Sequence, residues 1–192
     1  MILEDIIGLG ESSGYSLEGS FTPDLVFSKY WLMAELDKIK PSISTMYILG
    51  AWYGNLALFL TRYQHPHVDY IINVETNGEF LKASKDLLDQ FGAANVEYMK
   101  KDANDVDYSQ IDQNSAVVNT SLTDMPGRAW FDNIPPGILV ALQGRDHDPN
   151  ENFYSPQDIQ KKFPLSQVLY SGSLQLQDPE TEYTRCMTIG IK

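Results

Sequence analysis

Gly50 and Gly54 bound a short turn between two apolar runs, and an acid, Glu75, closes the next apolar run along the chain. A glycine-bounded turn from strand to helix presents backbone N–H groups and a helix N-terminus to a ligand. The residues inside it, Ala51, Trp52 and Tyr53, would lie against whatever is bound. A carboxylate at the end of the following strand accepts two hydrogen bonds at once, which suits the paired hydroxyls of a ribose. Glu75 and Thr76 occupy that position. Open α/β sheets bind ligands at the carboxyl edge of their strands, so this order of features points to a nucleoside-containing cofactor.

The elements that must position these residues are legible from periodicity. Apolar residues Leu25, Val26, Tyr30, Leu32, Met33 and Leu36 recur at helical spacing over 23–38, with Thr22 as a cap before Pro23. Strands are predicted over 45–49, 70–74, 96–99, 116–119 and 138–142, and helices over 55–63, 79–91, 127–133 and from Pro156 to about Phe163. Two β-rich runs, 167–176 and 183–191, end the chain with only a short polar link between them, so they must pair antiparallel. Residues 1–23 are rich in glycine and serine, and are expected to be a loosely ordered lead-in. The expected fold is a single three-layer α/β sandwich of Rossmann type, a seven-stranded, mainly parallel sheet with an antiparallel C-terminal strand.

Composition narrows the partners. With 14 basic against 26 acidic residues the net charge is −12, and no basic stripe interleaved with aromatics occurs. Affinity for nucleic acid depends largely on neutralising phosphates, so a nucleic-acid substrate is disfavoured. A small-molecule or protein substrate is expected, and the oligomeric state stays open. No apolar run approaches the roughly 20 residues of a membrane helix. The acids Glu4 and Asp5 stand where a signal peptide would be basic, and the single Cys186 fits a reducing compartment. The expected location is the cytoplasm.

The loop chemistry separates cofactors. Dinucleotide sites use Gly-x-Gly-x-x-Gly, whose central glycine lets backbone approach a pyrophosphate; here that position is Trp52 and the last is Asn55. No Gly-Lys-Ser/Thr follows, which excludes a P-loop. At the Gly50–Gly54 loop, Glu75, Asp102-Ala103, Asn119-Thr120-Ser121 and the terminal antiparallel pair, the chain resembles the class I S-adenosylmethionine-dependent methyltransferase superfamily. Asn119-Thr120-Ser121, Trp130, Leu142-Gln143 and Tyr183-Thr184-Arg185 look like a little-characterised phage and bacterial branch of it.

The resemblance implies S-adenosylmethionine as cofactor and methyl transfer as activity. It places the cofactor's methionine part over Gly50, Ala51, Trp52, Tyr53 and Gly54, the ribose on Glu75 with Thr76, and the adenine on Asp102 and the Ala103 amide. Asn119 joins the cofactor set. It also puts the departing methyl group at the segment 119–124, where Asp124 would act as general base and Asn119 or Thr120 would orient the acceptor. A helix N-cap at Thr123 or Asp124 is the competing reading of that segment. The family's acid two residues before the first glycine is Ile48 here. Two alternatives stay open: a non-catalytic protein with the same pocket, and another adenosine-cofactor transferase such as an aminopropyl transferase.

The remaining polar residues carry less chemistry. Asp146, His147, Asp148 and Asn150 with Asp124 could hold a divalent ion or form a solvated loop, and no second histidine is spaced for zinc, so no metal is assigned. His65 and His67 read as surface turn residues, Trp130 and Phe131 as core, and Cys186 as a small buried residue.

Overall fold

The computed structural model describes residues 17–192. Most of the predicted lead-in therefore lies outside the described residues. Its last part, from Leu17, is packed rather than loose: Leu17 and Phe21 are buried, and Phe21 meets Phe59 edge-on at 6.1 Å. Two apolar side chains in that short stretch outweigh its glycine and serine content.

Helix α1 spans Pro23–Ile39, with Pro23 in its first turn and Thr22 at the cap position. Thr22 makes no side-chain cap bond, so proline geometry rather than a hydroxyl starts the helix. The buried face carries Leu32, Met33 and Leu36, but also Asp24, Ser28 and Lys29. Strand β1 (Ser42–Leu49) leads through the glycine loop to α2 (Asn55–Tyr63), and β2 (His67–Glu75) leads to α3 (Gly78–Gln90). Asn77 caps α3 by accepting the Glu79 amide at 2.9 Å. Strands β3 (Val96–Lys100), β4 (Ala116–Asn119) and β5 (Leu139–Arg145) follow, with a single-turn helix α4 (Ala129–Asp132) between the last two. Helix α5 (Pro156–Lys162) has a reciprocal capping box between Ser155 and Asp158 and ends on Lys161 and Lys162, which suit a helix C-terminus. Strands β6 (Gln167–Gln177) and β7 (Glu182–Ile191) close the chain.

The sheet order is β3-β2-β1-β4-β5-β7-β6. Pairing is parallel from β3 through β5, and β7 runs antiparallel to both β5 and β6. Seven strands, mainly parallel, agree with the expected fold. Side chains alternate along each strand, so β1 feeds two cores: Met46 and Ile48 face one, Tyr47 and Leu49 the other. The first core packs α1 and α2 on the sheet through Leu32, Leu36, Leu56 and Leu60. The second holds Trp130, Phe131, Phe153 and Phe163 against the opposite face, and Trp130 and Phe131 are core residues as expected. The short β4 is buried along its whole length, as a strand covered on both faces must be. His65 and His67 are exposed at the edge opposite the glycine loop, although His67 begins β2 rather than lying in a turn.

Gly54 begins α2 at φ +74°, and a Cβ built there would sit 2.1 Å from Ser84 Oγ and 3.1 Å from Ser84 Cβ on α3. The residue both turns the chain and lets the two helices approach. Gly54→Ala should cost about 2–4 kcal/mol, combining left-handed strain with overpacking. Adding Ser84→Ala should recover part of that loss, leaving the strain, in a double-mutant cycle read by denaturant unfolding.

Candidate functional site

A cleft of about 660 Å³ opens at the carboxyl ends of β1, β2, β3 and β4. Gly50, Trp52, Glu75, Thr76, Asp102 and Ala103 line it, together with Asp124. These residues come from four separate loops, and strand register brings them together. Leu49 lies opposite Val74 on β2 and opposite Asn119 on β4, so the loops that follow leave the sheet side by side.

The glycine loop is tied to Glu75. The Ala51 amide donates to Val74 O at 3.0 Å, and the Trp52 amide donates to Glu75 Oε2 at 3.1 Å. Glu75 Oε1 accepts from Thr76 Oγ1 at 3.2 Å and from the Asn77 amide at 3.0 Å. Trp52 sits at φ +52°, an uncommon conformation for a bulky residue. Its indole is held among Tyr53, at 5.2 Å between ring centroids, and Phe80, at 6.3 Å. Gly50, at φ +64°, has Met125 Sδ 3.2 Å and Ser121 Cβ 3.3 Å from where a Cβ would be, so the loop after β4 closes directly over it.

Asp102 lies at the rim and caps the 3-10 turn Ala103–Asp105 by accepting the Asn104 amide at 2.8 Å. The Lys101 amide donates to Glu75 O at 3.1 Å, which fixes the Asp102 loop beside the Glu75 loop. Apolar walls come from Val74, Phe80, Met125, Pro126 and Trp130. Trp130 Nε1 is buried and has no hydrogen-bond partner.

Four expected cofactor contacts fall outside this lining: Ala51, which lines a second cleft described below, Tyr53, Gly54 and Asn119. Tyr53 turns onto Phe80, at 4.9 Å between centroids, and packs on the first core. Gly54 is buried at the α2–α3 contact. Asn119 is 0% exposed; its Oδ1 accepts the Ser121 amide at 2.8 Å and its Nδ2 meets Met125 Sδ at 3.4 Å. Asn119 therefore shapes the loop over Gly50 and does not line the cleft.

A second, inner cleft of about 220 Å³ adjoins the first and shares Gly50, Trp52, Ser121 and Asp124 with it. Ala51 and Thr120 line this one. Thr120 accepts from Lys29 Nζ on its hydroxyl at 2.8 Å and from Arg185 Nη2 on its carbonyl at 2.5 Å. Arg145 completes the cationic lining. Burial, reinforced by Arg185 and opposed by Asp24, holds the Lys29 pKa well below the ordinary lysine value.

Asp124 borders both clefts. It begins no helix: residues 122–124 form a turn, and α4 starts only at Ala129, so the cap reading of Asp124 falls. Its surroundings and the charge of Asp148 raise its carboxyl pKa, while Arg145 and Arg185 oppose the shift. Asp148 lies lower than usual despite burial, because the Asn150 amide and Arg145 stabilise its charge. It is buried and ion-paired with Arg145 at 3.0 Å, so the loop 143–150 is partly internal rather than simply solvated. Among the described residues, no group of three or more His, Cys, Asp or Glu side chains is placed to hold a metal. Cys186 is buried, donates to Phe153 O at 3.3 Å, and has its thiol pKa pushed up to about 11 by burial and by Asp146 and Asp158.

Lys29, Arg145 and Arg185 were not among the expected site residues, nor were Phe80 and Met125. Lys29 had a signal: it falls on the buried face of α1, three residues before Leu32. Arg185 lay in a flagged segment without an assigned role, and Arg145 directly precedes the polar residues Asp146 to Asn150. Phe80 and Met125 carried no signal, being ordinary apolar residues.

No protein-family model matches the sequence, and no curated protein matches it. Solved structures do. The N-methyltransferase NodS from Bradyrhizobium japonicum WM9 is similar with a TM-score of 0.68 at 11% identity, covering 90% of this chain and 99% of its own. The YcgJ protein from Bacillus subtilis gives 0.65 at 14%, covering 85% and 98%. An rRNA methylase from Streptococcus thermophilus gives 0.58 at 16%, covering 83% and 94%. The chain has the class I methyltransferase fold. Among the described residues, no helix of this methyltransferase-like domain is long and apolar enough to cross a membrane.

The raised Asp124 pKa has a sign that can be checked. A carboxyl group harder to ionise in the folded state opposes folding at neutral pH, and that cost fades as pH falls through the folded pKa. Carboxyl NMR should place the Asp124 midpoint above 3.8, higher still in Arg145→Gln and lower in Asp148→Asn. Asp124→Asn should be the more stable protein at neutral pH, with the difference closing toward pH 3.8.

Proposed function

We propose that the protein binds S-adenosylmethionine in the larger cleft and transfers its methyl group to a small-molecule or protein acceptor. The observation that carries this reading is the convergence of Gly50, Glu75 and Asp102-Ala103 on one cleft at the ends of three adjacent parallel strands. NodS, a structural neighbour, is also known with S-adenosylhomocysteine bound.

The residues present fit this cofactor better than a dinucleotide. Trp52 lines the cleft where a pyrophosphate would need bare backbone, whereas an adenosine without phosphate needs no such approach. Glu75 would take the ribose hydroxyls, and its two bonds to backbone amides already fix the carboxylate's direction. Asp102 and the Ala103 amide would take the adenine, between walls formed by Phe80, Met125 and Trp130. Ile48 is buried and offers no acceptor, so the methionine end must be held mainly by the glycine loop and its neighbours. When bound, the cofactor supplies an electrophilic methyl group on a positively charged sulfur.

The chain's own contribution is alignment and proton removal. Asn119 holds the Ser121–Met125 loop against Gly50, which orients the floor shared by the two clefts. Asp124 stands at that junction, where it would accept the proton an acceptor nitrogen or oxygen loses. A pKa above the usual aspartate value makes its carboxylate a stronger base than a free aspartate.

Calorimetry with S-adenosylhomocysteine tests the pocket. Glu75→Ala should weaken binding roughly 10- to 150-fold, the range expected for hydrogen bonds to a charged group. Equal affinity in the mutant would remove Glu75 from the site, and no binding by the wild type would remove the reading altogether. Asp124→Asn should bind S-adenosylhomocysteine almost normally but lose turnover in radiolabelled methyl transfer. Binding by the wild type without any transfer would leave a cofactor-binding protein that is not an enzyme.

A further inference from the structure

Ile48, Gly50, Ala51 and Trp52, which line the inner cleft, belong to the end of β1 and to the glycine loop. Glu75 and Asp102, proposed above for the nucleoside, line the larger cleft and not this one. The inner cleft is therefore the place for the cofactor's amino-acid end, which carries one carboxylate and one amino group. Its wall treats those two groups differently. Three cations line it, Lys29, Arg145 and Arg185, against one carboxylate, Asp124.

Two of these cations lie deep. Lys29 and Arg185 are each only 5% exposed, and neither is ion-paired with a carboxylate among the described residues. Asp148 pairs with Arg145 at 3.0 Å, and the charge of Asp124 acts on Arg145 and Arg185. Lys29 stands outside that arrangement. Its hydrogen-bond partner is the Thr120 hydroxyl, and Asp24, the carboxylate that acts on it, accepts the Tyr183 hydroxyl on Oδ2 at 2.6 Å. Arg185 bonds the Thr120 carbonyl through Nη2, and its buried Nε has no partner. Buried cations with only neutral acceptors are costly, and a carboxylate that bonds both would offset that cost. An amino group meets the opposite. Ile48 is apolar, Asn55 is committed to Ser20 O and to the Leu56 amide, and Lys29 takes the Thr120 hydroxyl. The charged acceptor that remains, Asp124, already faces two arginines.

We propose that Lys29 and Arg185 hold the carboxylate of the cofactor's amino-acid end, so that the site selects its cofactor by that carboxylate and not by the amino group. This deepens the S-adenosylmethionine reading above and rests on it. It gives α1 and β7, whose cations meet at Thr120, a task in binding. It also separates two classes of adenosine cofactor. A donor of an aminopropyl group keeps the amine and lacks the carboxylate, so the two cations disfavour it.

The test is calorimetry on the full chain with ligands that share the thioadenosine. S-adenosylhomocysteine carries both groups, carboxypropyl-thioadenosine lacks the amino group, aminopropyl-thioadenosine lacks the carboxylate, and methylthioadenosine lacks both. Carboxypropyl-thioadenosine should bind within a few-fold of S-adenosylhomocysteine. Aminopropyl-thioadenosine should bind about tenfold or more weaker, as loss of a charged hydrogen bond implies. Lys29→Gln and Arg185→Gln should each weaken the two carboxylate ligands by a similar factor and leave the other two nearly unchanged. A purely structural role for these residues would weaken all the ligands alike, and that result overturns the inference. So does aminopropyl-thioadenosine binding as tightly as carboxypropyl-thioadenosine, or methylthioadenosine binding as tightly as S-adenosylhomocysteine. Those two comparisons use the wild type, so they decide the matter even where a buried substitution prevents folding. Failure of the wild type to bind S-adenosylhomocysteine overturns the cofactor reading and this inference with it.

Discussion

The parallel pairing of β1 with β2 on one side and β4 on the other is the constraint on which the rest of this molecule depends. Leu49 faces Val74 across one ladder and Asn119 across the other. Because both pairings end level, the three chains leave the sheet at the same edge, and the order of the sheet reverses there. A crevice at such a reversal follows from geometry, since successive crossovers run to opposite sides. The same strand divides the interior through its alternating side chains, Met46 and Ile48 to one core and Tyr47 and Leu49 to the other. A one-residue slip of β1 would exchange the two cores and misplace the glycine loop together.

Within that frame the loop's shape is held by polar bonds rather than by bulk. A left-handed conformation costs a residue such as Trp52 about 1–2 kcal/mol. A hydrogen bond to a charged acceptor contributes about 1.5–3 kcal/mol, so the bond from the Trp52 amide to Glu75 is of the right size to offset it. The ring contacts with Tyr53 and Phe80 add to the same side of the balance. Glu75 thus has a structural task in the free protein as well as a proposed ligand. Replacing it would loosen the loop and remove an acceptor at once, and the two effects have the same direction.

Charge is distributed against the average of the chain. The surface is acidic, yet α1 and β7 bury Lys29 and Arg185 beside Thr120. Thr120 offers these cations a hydroxyl and a carbonyl, which satisfy hydrogen bonds but bring no opposite charge.

The sequence by itself determined the elements, their order and the residues that end them. Apolar periodicity gave the helices over 55–63 and 78–90 to within about a residue, because burial of one face dictates those positions. The residue types at strand ends, Gly50, Glu75 and Asp102, marked the edge where a ligand would lie, since a turn's chemistry is local. Only the tertiary structure decided which neighbours of those residues face the cleft. Tyr53 and Gly54 sit in the marked loop and turn inward, Asn119 is buried beneath its own loop, and Asp124 begins no helix. Lys29, Arg145 and Arg185 come together from positions 29, 145 and 185 because β1, β4, β5 and β7 stack in that order beneath α1. A pattern with a period of two or 3.6 residues carries information about faces of one element. Contact between side chains so far apart in the chain depends on strand order, which no local period encodes.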